Sequence, residues 1–262
     1  ASFIVGFSMV LLDRYFIMLT WTDGALFALC ATTSAITSAI GVGGGILLLA
    51  FLSNLLSANL VIPIHGATQL VSNLSRSLLD WRLVQWRRLM LPFLPGALLG
   101  GAVGYLMLGR FSFEHLPLIL GVFILLITWT RLIQSLGVLF NNMAVLGAWL
   151  TSSSLFIGSM GLMLPPILLH KGLSKDEVIL THSAMMSIMH AFKVAAYVLT
   201  GFAFFQYASM MALMLAGSLV GTYAGKFLRG RINEQRGVWI LKWVTTLAAI
   251  QLIITALYRY LK

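Results

Sequence analysis

The chain of 262 residues is 60% hydrophobic and 9% charged, with a formal net charge of +10 and a mean hydropathy of +0.96. A soluble domain is nearer half apolar and a quarter charged, so this composition excludes an ordinary soluble fold and makes lipid the solvent for part of the surface. The single cysteine, Cys30, excludes an intramolecular disulfide and a cysteine-based metal cluster. The Lys and Arg residues sit mainly in short loops between apolar runs, where they set membrane orientation and do not indicate nucleic acid.

Residues 1–22 are apolar but interrupted by Asp13 and Arg14. A secretory signal places its positive charge before a clean apolar run, so this segment reads as an extra span or an interfacial helix. Apolar stretches follow at 24–40, 46–60, 63–80, 89–109, 116–135, 143–157, 161–170, 177–200, 207–228 and 237–259. They are Leu-, Ala- and Met-rich without strict alternation, which predicts helices and not barrel strands. Helices satisfy their own backbone in lipid. The expected fold is an all-α polytopic membrane protein.

Two of these stretches are punctuated. Gly41-Val42-Gly43-Gly44-Gly45 breaks the first, and Gly158-Ser159-Met160-Gly161, with Pro165-Pro166 just after, breaks a later one. Broken backbone at membrane depth is tolerated only where it packs in protein or lines a cavity.

The two breaks stand 117 positions apart, as do His65 and His182, Arg76 and Lys193, Gly100 and Gly217, Gly104 and Gly221, and Thr128 and Thr245. Self-similarity at one offset marks a repeat. We expect repeat 1 over 23–138 and repeat 2 over 139–262, each with a glycine-broken, re-entrant helix pair and about three spanning helices. The basic loops at 81–88, 170–176 and 229–236 fall on the cytoplasmic side by the positive-inside rule. The first of them follows the span of His65 and the second precedes the span of His182, so equivalent spans run in opposite directions and the repeats are inverted.

Transporters built this way hold substrate at the repeat interface, beside the broken spans. Helices restarting after Gly43, Gly44 and Gly45, and near Gly161, aim N–H groups and a positive dipole end at whatever lies there; close packing through small residues is the other reading. Lys193 falls mid-span without an acidic neighbour, and an anion would supply its missing partner. Arg76 is its duplicate, although Asp80, four residues on, could pair with it. Gln69 and Asn73 share a helix face with His65 and lie close to Arg76. Ser183, Ser187, His190 and Lys193 follow His182 similarly, and these side chains are either substrate contacts or interhelical glue. His65 and His182 can also carry a coupled proton. No carboxylate lies clearly mid-span, which argues against a cationic cargo. The glycine runs after residue 96 and after residue 217 read as helix packing.

The glycine run at 41–45, His65-Gly66-Ala67-Thr68, the loop at Asp80-Trp81-Arg82 and Gly96-x3-Gly100-x3-Gly104 resemble the TauE/SafE family of sulfite and sulfonate exporters. The second half repeats the pattern at Gly158–Pro166, Thr181-His182-Ser183 and Gly217-x3-Gly221-x3-Gly225. The resemblance spans roughly residues 23–255 and implies export of sulfite, organosulfonates or related sulfur-containing anions across a bacterial inner membrane. The second break, with fewer glycines, and the paired histidines depart from that pattern. An anion channel of the same architecture is the first alternative. A membrane enzyme is the weaker one, because no His-Glu-x-x-His or Gly-x-Ser-x-Gly motif is present. No cofactor or metal is expected. The expected partners are a small anion and the bilayer, and a homodimer is left open.

Overall fold

Among the described residues hydrophobic patterning closes into ten α-helices: α1 (Trp21–Ile40), α2 (Gly44–Leu55), α3 (Ala58–Leu78), α4 (Leu91–Leu108), α5 (Leu116–Trp129), α6 (Met143–Ile157), α7 (Leu164–His170), α8 (Lys175–Leu199), α9 (Ala208–Leu228) and α10 (Glu234–Tyr260). They come from a computed structural model that describes residues 21–110, 113–130, 142–231 and 233–260. Among the described residues there is no strand. The expected segment 1–22, save Trp21 and Thr22, and the expected repeat boundary at 138/139 lie outside them.

Among the described residues five helical segments are long and apolar enough to cross a membrane: Asp23–Ile40, Trp86–Leu108, Lys175–Leu199, Phe204–Leu228 and Gln235–Tyr258. Shorter apolar helices accompany them at Gly44–Leu55, Leu116–Trp129, Met143–Ile157 and Gly161–His170. One boundary differs from expectation. Pro63 lies inside α3, and the chain turns earlier, at Leu56-Ser57.

α3 and α8 occupy the centre, with polar side chains turned inward. α3 carries His65, Gln69, Asn73 and Arg76, all buried. It packs antiparallel on α8, as contacts of Gly66 with Lys193 and of Arg76 with Ser183 show. The span of α8 is 72% buried, against 22% for that of α9 and 33% for that of α10. The outer faces of α9 and α10 present Phe227, Trp239, Leu247 and Ile254, which suit lipid and not water. α8 starts sharply because Ser174 and Glu177 form a reciprocal capping box.

Two flanking pairs rest on glycine. On α4, a Cβ at Gly96, Gly100 or Gly104 would lie 1.7, 2.1 or 3.3 Å from backbone of Ala144, Ala148 or Ser152 on α6. On α9, Gly217, Gly221 and Gly225 stand in the same relation to Phe27, Ala31 and Ala35 of α1. Van der Waals packing of this closeness holds helices together in lipid, as expected for these glycines. The register differs from expectation by one turn: by contact, Gly96 corresponds to Gly217 and Gly100 to Gly221. The reason is that α8 has 25 residues where α3 has 21, so the glycine run after α8 is displaced by four.

The three basic loops gather at one end of the bundle. Arg88 donates to the Lys171 carbonyl at 2.8 Å, Gln85 donates to Glu177 at 2.7 Å, and Arg229 pairs with Asp176 at 3.0 Å. α3 ends at this end and α8 begins there.

Candidate functional site

The first break forms because α1 ends at Ile40 and glycines at 41 and 43 take positive φ of 99° and 93°, a region that side chains with a Cβ avoid. α2 then folds back along α1. A Cβ on Gly44 would meet the Thr33 carbonyl oxygen at 1.9 Å, so this glycine serves packing. The second break turns at Gly158 with φ 86°, passes through a 3-10 turn at Gly161–Met163 and enters α7 with Pro at its first turn. Pro is tolerated there because its missing N–H would be unpaired anyway. Neither restart is capped by a side chain.

The breaks meet. Gly43 and Gly45 from the first, Gly161 from the second, Gln69 and Asn73 from α3 and His182 from α8 line one cavity of about 20 Å³, room for about one water. Thr37, Ser159 and Met186 also line it. Sequence reasoning passed over these three, although the Thr and Ser residues at 32–38, in an otherwise apolar span, were a usable signal.

Two histidines hold the breaks in matching ways. His65 Nε2 donates to the Gly45 carbonyl at 2.9 Å, and His182 Nε2 donates to the Gly161 carbonyl at 3.1 Å. Donation from Nε2 assigns the proton to that nitrogen, which leaves Nδ1 of a neutral ring as an acceptor. Both Nδ1 atoms are buried without a hydrogen-bond partner.

Arg76 stands one turn beyond Asn73, fully buried. Its Nη1 donates to Asn73 Oδ1 at 3.0 Å and to Ser183 Oγ at 3.3 Å, and its Nη2 to Ser72 Oγ at 3.1 Å. Asp80 is exposed and does not pair with it. Nε of Arg76 has no partner. Lys193 is fully buried as well. Its stem crosses Gly66, where a Cβ would meet Cδ at 2.7 Å, and its Nζ donates to the Gly158 carbonyl at the second break. A backbone carbonyl thus holds the lysine at the break itself. His190 Nδ1 lies 3.4 Å from Nζ, and the His190 ring meets His65 edge-on, 5.7 Å between centroids.

The predicted set thus divides. Gly43, Gly45, Gln69, Asn73, Gly161 and His182 face the cavity. Arg76 donates to both Asn73 and Ser183, while His65, His190 and Lys193 form a second cluster that ties both breaks to the central helices. Ser187 donates to the Ser183 carbonyl at 2.8 Å and stays within its own helix. Among the described residues no group of three or more His, Cys, Asp or Glu is placed to hold a metal ion. Chemically, the arrangement offers buried cations, uncapped helix starts and neutral polar groups around one small space, a setting for a negative guest.

No curated protein and no solved structure matches the chain. The model of a protein family described as Sulfite exporter TauE/SafE matches residues 26–252, nearly the whole chain. On that match, added to the apolar helices and the broken spans, the chain belongs to the TauE/SafE family of multi-pass membrane transporters, which are not enzymes.

Proposed function

We propose that the chain is a secondary transporter that exports a small oxyanion, sulfite or an organosulfonate, across the bacterial inner membrane. The anion binds between two inverted repeats, residues 23–138 and 139–262, where the glycine breaks meet. The carrying observation is that Arg76 and Lys193 are both fully buried and, among the described residues, neither pairs with a carboxylate. A buried charge without a counter-charge is costly, and an anion arriving at the cavity offsets that cost. The uncapped start of α2 adds a positive dipole end, whereas Pro165 and Pro166 leave fewer N–H groups at the start of α7.

Inversion is supported by the gathering of the basic loops, since α3 finishes where α8 starts. Access alternates when one repeat rocks against the other. The cavity holds about one water, which favours an occluded carrier over an open anion channel. The unpartnered Nδ1 of His182 gives the carrier a means of coupling. Protonated, it donates to the anion; neutral, it presents a lone pair.

The test is counterflow in proteoliposomes loaded with unlabelled sulfite or alkanesulfonate. Saturable accumulation of labelled anion supports a carrier. Flux that never saturates and shows no exchange speaks for a channel.

A further inference from the structure

Next to the inner cavity lies a larger one of about 270 Å³, just under the range of about 300–1,000 Å³ usual for ligand pockets. Gly43, Ile46 and Leu162 line both, so the two are separated by one layer of residues. The partition is tight: a Cβ on Gly43 would lie 1.9 Å from Cδ2 of Leu241, which faces the larger cavity. Ile127, Leu162, Leu169 and Leu241 make apolar walls. One cation, Lys242, stands on the wall, and it also lines an adjoining outer hollow with Gln235, Val238 and Trp239. The mouth therefore lies near the start of α10 and the end of α7, at the end of the bundle that carries the basic loops.

Lys242 is held in place. Its Nζ sits 3.8 Å over the Trp129 ring, and Trp129 is fixed by a 2.8 Å bond from Nε1 to Thr246 Oγ1 and by an edge-on contact with Trp243. Among the described residues no carboxylate forms an ion pair with Lys242. A cation over an indole is attracted by the ring but keeps its charge, so the site retains the capacity to bind an acid group.

We propose that this cavity is an outer binding station for an organic anion with a short apolar body. The acid group rests on Lys242, the body lies against Ile127, Leu162, Leu169 and Leu241, and the inner cavity is one step further. Beyond Lys242 the polar lining residues are Thr128 and Thr245, so the mostly apolar walls return little of the hydration an inorganic oxyanion loses, whereas an alkyl chain gains from burial. The station therefore selects alkylsulfonate-like anions over sulfate-like ones. This inference rests on the anion-transport reading and adds a second site and a selectivity to it.

The test uses the purified full chain carrying Leu169→Cys, an exposed position; the native Cys30 is fully buried. The labelling rate with N-ethylmaleimide is measured against butanesulfonate, methanesulfonate and sulfate. Butanesulfonate is expected to slow labelling at least five-fold, methanesulfonate less and sulfate not at all, and Lys242→Gln is expected to abolish the protection. Arg76→Gln, which acts at the inner site, leaves protection intact. Equal protection by sulfate and butanesulfonate, or protection that persists in Lys242→Gln, overturns the station. So does slowing by added phospholipid alone, which makes the cavity an acyl-chain groove. Protection without counterflow sinks the transport reading and spares the station; counterflow without protection does the reverse.

Discussion

Lys193 on α8 and Gly158 at the second break are tied, Nζ to carbonyl oxygen, across 35 positions of sequence. The lysine thereby holds the bend of the interrupted span while its charge stays within reach of His190. The tie is neutral on the carbonyl side, so the positive charge remains available to an anion. Replacing Lys193 with Met keeps the stem over Gly66 and removes both the charge and the donor. We expect Lys193→Met to fold, with the Gly158 carbonyl left unsatisfied at about 1–3 kcal/mol, and to lose anion counterflow. Thermal unfolding and counterflow measured on the same preparation check this. Full transport in Lys193→Met reduces the lysine to a structural pin.

Gly66 gives a second handle on the same lysine. An added methyl there would sit 2.7 Å from Cδ of Lys193, and the lysine cannot yield without leaving Gly158. Gly66→Ala is expected to lower counterflow about ten-fold or more, equal to about 1.4 kcal/mol. In a Lys193→Met background the more pliable side chain gives way and the methyl adds little. Additive losses in the double variant contradict the coupling.

The glycine seams carry a stability prediction. Gly100→Ala and Gly221→Ala place Cβ 2.1 and 1.9 Å from the carbonyl oxygens of Ala148 and Ala31. Rigid backbone must move, so each should destabilise by about 1–3 kcal/mol. Gly109→Ala meets nothing within 4 Å and is expected to be near neutral. Unfolding midpoints in detergent separate the three.

His182 carries the pH prediction. His182 lines the inner cavity; its Nε2 is spent on Gly161, and its Nδ1 is a buried acceptor without a partner. Protonation converts that acceptor into a donor, so counterflow should rise as pH falls. His182→Gln keeps a donor for Gly161 but cannot take the proton, and its counterflow should be flat with pH. A pH profile that survives His182→Gln moves the coupling elsewhere.

The fold was legible in the sequence where lipid imposes the rule. Apolar length placed most of the described helices within a few residues, and the expected span 116–135 runs beyond Trp129 into residues outside the described ones. The clear miss was the boundary between α2 and α3, expected at 60–63 and found at Leu56-Ser57, with Pro63 inside α3. The expectation of a duplication rests on scarce residues, His and mid-span cations, that recur 117 positions apart. An ungapped offset does not register the extra turn of α8 relative to α3. Among the site residues, the glycines and the α3 stripe stood out against their apolar surroundings. Ser159 did not, and Thr37 was signalled only by the cluster of hydroxyl residues at 32–38, since small hydroxyl residues also serve as helix glue in membranes. Nor could spacing say that Arg76 would brace Asn73 and Ser183 while Lys193 bound a carbonyl. That division depends on which neighbouring helix each long side chain meets.

On the proposed function, buried Lys193, at the second break, and buried Arg76, beside the cavity-lining Asn73, are tolerated because a negative guest completes them. The measurement that reaches this claim most directly is equilibrium binding of sulfite and of butanesulfonate to the purified chain, compared with Arg76→Gln and Lys193→Met of verified fold. Saturable binding in the parent, weakened at least ten-fold in both variants, is the predicted result. Affinity unchanged in both variants contradicts it.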